Sequence, residues 1–68
     1  MRDPNRLNKF YSELNEIHRR SFPDWRFMQL QINFMSWLVA EKRTDGWHYE
    51  EDKTIELLKE YECIYGMR

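Results

Sequence analysis

Few side chains in this sequence could do chemistry, and their spacing closes off most reactions. His48-Tyr49-Glu50 fits the His-x-Glu half of a zinc deaminase signature, in which the histidine holds the metal and the glutamate moves protons. The Pro-Cys-x-x-Cys half is absent. Asp52 adds a second carboxylate near the same helix entry, but such groupings arise far more often without a metal than with one, and none is expected. Cys63 is the only cysteine, so neither an internal disulfide nor a cysteine-based zinc site can close. It lies beside the apolar stripe of the last helix with no histidine near it in sequence, and it reads as a small core residue, not a nucleophile. Paired acids for glycoside-type chemistry need a cleft, which is more scaffold than 68 residues supply. The two glycines, Gly46 and Gly66, cannot form a phosphate-cradling loop. The chain therefore reads as non-enzymatic, with no cofactor.

What remains is recognition. Arg26, Gln29, Asn33 and Ser36 make a narrow polar strip on the middle helix, flanked by Trp25 and Trp37. Tryptophan and arginine are enriched at binding hot spots, so Trp25, Arg26, Gln29, Asn33 and Trp37 are candidate partner-binding residues. A structural role competes with that one. In it Arg26 pairs with Glu51 or Asp52 at the last helix entry, and Gln29 and Asn33 tie down a neighbouring loop backbone, as buried polar groups commonly do.

The elements that must position these residues are three helices, near 4–20, 24–41 and 51–65. In the first, Asp3 can cap the N-terminus with Pro4 at the first helical position. Leu7, Phe10, Leu14 and Ile17 then recur at three- and four-residue steps as one apolar stripe. Phe22-Pro23 ends that helix, because the residue before a proline is pushed out of helical angles. Asp24 restarts the chain as a second N-cap. Polar residues 41–46 break it again at Asp45-Gly46, a strong turn signal. Trp47-His48-Tyr49 is either a short extended piece or a pinned helix entry. Glu50, Glu51 and Asp52 suit a helix N-terminus. Ile55, Leu58, Tyr61 and Tyr65 form the last stripe, which Leu57, Cys63 and Ile64 widen, and Gly66 is placed to cap its end. The expected fold is an all-α, compact three-helix domain, with residues 1–68 as a single unit.

The middle helix has two apolar arcs when its residues are set 100° apart. Phe27, Leu30, Phe34, Trp37 and Leu38 form one, and Trp25, Met28, Ile32, Met35 and Val39 the other, with Gln31 between them. Three short helices can cover one arc thoroughly and the other only partly. Exposed apolar patches mark interfaces, so Met28, Ile32, Met35 and Val39 are expected to form the interface of a two-fold homodimer. The competing arrangement lays the third helix along that arc and closes a monomer.

Size and charge narrow the partners. A chain of 68 residues has a marginal core, and its 16% aromatic content is the compensation available without disulfides. The longest apolar run, Trp37-Leu38-Val39-Ala40, is too short to span a bilayer, and no signal peptide is evident, so a cytoplasmic protein is expected. Net charge is −1, divided as +3 over residues 1–43 and −4 over residues 44–68. This asymmetry can serve complementarity within the fold or between copies, or reflect only a biased solvated surface. A small helix-turn-helix-like nucleic-acid-binding protein is the alternative, with Arg19, Arg20, Arg26, Lys42 and Arg43 converging. Against it stand a pI near 6.1 and a middle helix richer in Trp, Phe, Met and Leu than a groove-reading helix should be.

Three segments, Asp3-Pro4-Asn5-Arg6, Pro23-Asp24-Trp25-Arg26-Phe27-Met28-Gln29-Leu30 and Tyr49-Glu50-Glu51-Asp52, carry a resemblance that spans nearly the whole chain. They resemble a group of small uncharacterised proteins from bacteria and their prophages. Members share an acidic-Pro-x-Arg step, a Pro-Asp-x-Arg-x-x-Gln-Leu motif and an aromatic-x-Glu-Asp helix entry. This chain departs from them at His18, where members often have tryptophan, and at Met28, where they often have a small residue. The resemblance implies a phage or mobile-element origin and carries no mechanism. With the absent catalytic groupings, it leads to the expectation of a protein-binding module, for example a phage-encoded inhibitor or adaptor acting on a host protein.

Overall fold

The computed structural model describes residues 3–66, which form three helices and no strand. Helix α1 spans Arg6–Ser21, α2 spans Phe27–Trp37 and runs on into a π-helical turn over Leu38–Lys42, and α3 spans Glu51–Tyr65. The all-α three-helix expectation holds.

Each helix boundary has a local cause. Ahead of α1 the Asp3 carboxylate accepts the Asn5 N–H at 2.9 Å, so Asp3 caps the turn that leads into the helix. Phe22 closes α1 with φ −136° and ψ 47°, as the following proline demands. The chain then makes a turn in which the Trp25 N–H reaches the Phe22 carbonyl at 3.1 Å. This turn replaces the expected helix start at Asp24: α2 begins at Phe27, and the Gln29 side chain accepts the Arg26 N–H at 2.7 Å. At the other end Arg43 adopts a left-handed conformation, φ 59°, and its N–H caps the Leu38 carbonyl. Trp47-His48-Tyr49 is neither strand nor helix. It is a turn, with the Asp45 carboxylate accepting the Trp47 N–H and the Gly46 carbonyl accepting the Tyr49 N–H.

The core gathers Ile17 and Phe22 from α1 and its end, Leu30, Trp37 and Leu38 from α2, and Ile55, Leu57, Leu58 and Tyr61 from α3. Tyr61 is its aromatic hub, with the rings of Phe22, Phe34 and Trp37 all centred within 6 Å of its own. Ion pairs tie the basic first part of the chain to the acidic last part. Arg6 meets Glu51 at 2.8 Å, Arg20 meets Glu62 at 2.7 Å, and Lys42 meets Glu60 at 2.7 Å while lying over the Trp37 ring. The uneven charge distribution therefore acts, at least in part, within the single chain.

Glu62 is the most embedded of these charges. Its two oxygens accept both the Nε and one terminal nitrogen of Arg20, and one also accepts the Ser21 hydroxyl, joining the C-terminal ends of α1 and α3. The carboxylate in turn holds the Arg20 guanidinium above its ordinary pKa. Gly66 follows at this junction in an extended conformation, φ −67°, and not in the left-handed one expected of a helix-capping glycine. Its lack of a side chain matters because a Cβ there would stand 2.5 Å from the Glu62 carbonyl oxygen and 3.1 Å from Ser21 Cβ.

Candidate functional site

The site lies on the side of α2 that neither α1 nor α3 covers. Helix α2 turns Leu30, Trp37 and Leu38 inward, at 2%, 7% and 4% exposure. The opposite arc therefore faces out. Met28, Ile32, Met35 and Val39 are 55%, 55%, 42% and 52% exposed. At steps of four, three and four residues they make one continuous apolar stripe along the helix. Helix α3 packs chiefly on α1 and does not lie along this stripe.

The polar strip borders the stripe. Trp25, Met28, Gln29, Ile32 and Asn33 line a shallow depression of about 390 Å³, so part of the strip and part of the stripe form one concavity. Trp25 supplies its rigid wall: its ring stacks on Phe22 at 4.7 Å, and His18 Nε2 donates to the Trp25 carbonyl at 2.7 Å. These contacts place a half-buried tryptophan beside exposed Gln29 and Asn33, with Arg26 exposed at the start of the helix.

Several expected placements are corrected. Trp37 is buried in the core against Tyr61 and Phe34 and is not available at the surface, because its position on the inner arc prevails over its place beside the polar strip. Arg26 does not reach Glu51 or Asp52. Arg6, one turn into the structure and facing the α3 entry, takes Glu51 instead. Gln29 turns back on its own helix terminus and bonds no neighbouring loop. Cys63 is exposed, because Tyr61 and Glu62 fill the buried face of α3 at that level. Phe27, placed on the inner arc by its angle, is 50% exposed because α2 starts at that residue with little chain packed above it.

A second concavity, about 290 Å³, opens between α1, α2 and the 44–49 turn, and its lining is mostly apolar. Tyr11, Phe27 and Met35 belong to it and are all substantially exposed. Met35 thus links it to the stripe. Sequence reasoning did not single out Tyr11 or the groove, since only the folded turn brings Gly46 and Tyr49 against α2. Trp47, 83% exposed, stands on that same turn. Among the described residues no three His, Cys, Asp or Glu side chains gather as a metal site, and no helix is long and apolar enough to cross a membrane. Tyr61 has a perturbed hydroxyl, pushed above the ordinary phenol range by burial and by neighbouring Tyr65, but it sits in the core, away from either concavity.

No family model matches the chain, and comparison with curated proteins and with solved structures finds no match either.

Proposed function

We propose that the protein is a non-enzymatic protein-binding module that works through the outer surface of α2. The observation that carries this reading is the run of four half-exposed apolar side chains, Met28, Ile32, Met35 and Val39, on a helix whose other arc is already spent on the core. Exposed apolar surface of this continuity in a small domain is the mark of an interface. The depression lined by Trp25, Met28, Gln29, Ile32 and Asn33 adds a rigid aromatic wall and polar hydrogen-bonding groups, the combination that anchors a partner side chain. The stripe pairs two copies of the chain, and the polar strip beside it, with Arg26 at its head, meets a different protein. The resemblance to prophage proteins gives the setting: an inhibitor or adaptor acting on a host protein in the cytoplasm.

The test is affinity capture from bacterial lysate with the full chain and with an Asn33→Arg variant, which leaves the Gln29 cap of α2 in place. The reading expects a specific host protein retained by the wild type and lost with the variant, whose helical dichroism stays unchanged. Recovery of nucleic acid alone, with binding that falls steeply with salt, would replace this reading with the helix-turn-helix alternative.

A further inference from the structure

The groove between α1, α2 and the 44–49 turn has a lining that selects by charge as well as by shape. Five aromatic residues reach it, Phe10, Tyr11, Phe27, Phe34 and Tyr49, together with buried leucines of α2 and α3. At about 290 Å³ it stands at the lower end of the range usual for small-molecule sites, which begins at about 300 Å³. Exposed Asp45 is the only charged residue among its fifteen lining residues. The Asp45 carboxylate accepts the Trp47 N–H at 3.0 Å, and among the described residues no ion pair holds it. Arg43, two residues earlier, does not line the groove. Two other concavities differ. The cleft between α1 and α3 carries charges of both signs that are already matched, Arg6 with Glu51 and Lys59 with Glu13. The depression beside Trp25 has no charged residue in its lining.

We infer that this groove is a binding site for a small organic ammonium ion, an apolar body that carries one positive charge. Aromatic rings are negative at their faces, so a lining rich in them attracts an ammonium group and disfavours a carboxylate or phosphate. The Asp45 carboxylate supplies the full opposite charge and a hydrogen bond of the stronger, charge-assisted kind. Two neighbours serve the remaining ammonium protons. The Gln31 amide offers an oxygen, and the Thr54 hydroxyl, whose proton goes to the Glu50 carbonyl, keeps its lone pairs free to accept. The apolar body fills the part lined by leucine and phenylalanine, where burial contributes in proportion to the area removed from water. A neutral molecule of the same shape gains that burial but gives Asp45 no counter-charge, and an anion meets both Asp45 and the rings with the wrong sign. The site shares only Met35 with the outer stripe of α2, so it does not rest on the reading of that stripe as a docking face.

A series of probes matched in size reads the charge preference. These are 2-phenylethylamine, cationic at neutral pH, 2-phenylethanol, neutral, and phenylacetate, anionic. Each is titrated at constant ionic strength into the full chain and followed by amide and methyl NMR shifts. The amine is expected to bind with a Kd of about 1 mM, as a probe this small allows. It should bind about tenfold more tightly than the alcohol, with phenylacetate weaker still. Shifts should gather at Met35, Gly46 and Tyr49 and leave Ile32 and Val39 unmoved. Asp45→Asn keeps an oxygen for the Trp47 N–H, and it should bring the amine and the alcohol to within about threefold of each other. Phe27→Ala, at a half-exposed position that the fold tolerates, should weaken the amine about fivefold. Equal affinity for all the probes would overturn the inference, as would a preference for the amine that survives Asp45→Asn unchanged. Shifts confined to Met28, Ile32 and Val39 would overturn the placement of the site, and a lack of saturable binding at tens of millimolar amine would overturn the site itself. The docking reading of the stripe stands or falls separately, by lysate capture.

Discussion

The two arcs of α2 differ in what they bury, and truncating each in turn separates folding from association. Leu30 is 2% exposed in the centre of the core, and Ile32, two residues on, is 55% exposed on the stripe. Leu30→Ala removes buried carbons and leaves a void, a change that costs about 3 kcal/mol. A chain of 68 residues has in total roughly 3–10 kcal/mol of stability. The variant should therefore sit at the edge of folding, its melting temperature lowered by about 12–24 °C at 4–8 °C for each kcal/mol. Ile32→Ala removes a side chain that is already half in water and places a better helix former there, so in dilute solution it should stay within about 0.5 kcal/mol of wild type. Thermal unfolding followed by dichroism, at low micromolar and again near millimolar protein, is the assay. Wild-type melting should rise with concentration because association stabilises the folded chain by mass action. Ile32→Ala should lose that rise while Leu30→Ala keeps a proportionate one. Equal dilute-solution losses for the two variants would refute the assignment of inner and outer arcs.

Arg43→Gly should stabilise the dilute monomer by about 0.5–1 kcal/mol in a chemical denaturation, since glycine relieves the left-handed strain at φ 59° at a modest entropic cost. Gly66→Ala should cost about 1–3 kcal/mol in the same measurement, because its Cβ would crowd the Glu62 carbonyl oxygen and Ser21 while its backbone angles suit any residue. For Tyr61 the sign follows from burial. The folded state keeps the phenolic proton to a higher pH than the unfolded chain, so stability is fully present below the ordinary phenol pKa of about 10 and declines as pH rises past it. Denaturation midpoints across that range should show the decline, and Tyr61→Phe should flatten it.

Much of this architecture is readable from periodicity. The α1 stripe, the proline-directed stop after Phe22 and the span of α3 follow from residue spacing and from the conformational limits of single residues, which act locally. The misplacements share a different cause. Trp37 lies on the inner arc by angle and beside the polar strip by neighbourhood, and only the position of Tyr61 decides between them. Cys63 and Glu62 are adjacent on α3, and composition favours burying the cysteine. The bidentate contact from Arg20 and the Ser21 hydroxyl make the glutamate the inward residue instead. Sequence reasoning places Arg26 on Glu51 or Asp52, but it is Arg6, at the start of α1, that meets Glu51 at the α3 entry. In each case the outcome depends on a contact between elements far apart in sequence, which a helical period does not encode.

The same contacts explain why α2 is the helix left with an open face. Glu62 with Arg20 and Ser21 at one end, and Arg6 with Glu51 at the other, fasten α1 and α3 along each other, so that the two flanking helices form a pair. Helix α2 presents only one arc, that of Leu30, Trp37 and Leu38, to the core. The π-helical turn at Leu38–Lys42 keeps this arrangement by bringing Leu38 into the core and Lys42 onto Glu60 before Arg43 reverses the chain. The ion pairs that join α1 to α3 thus help to set which part of the hydrophobic supply stays outside. Weakening them, rather than altering the stripe itself, should therefore change how much of Met28, Ile32, Met35 and Val39 is exposed without changing any of those residues.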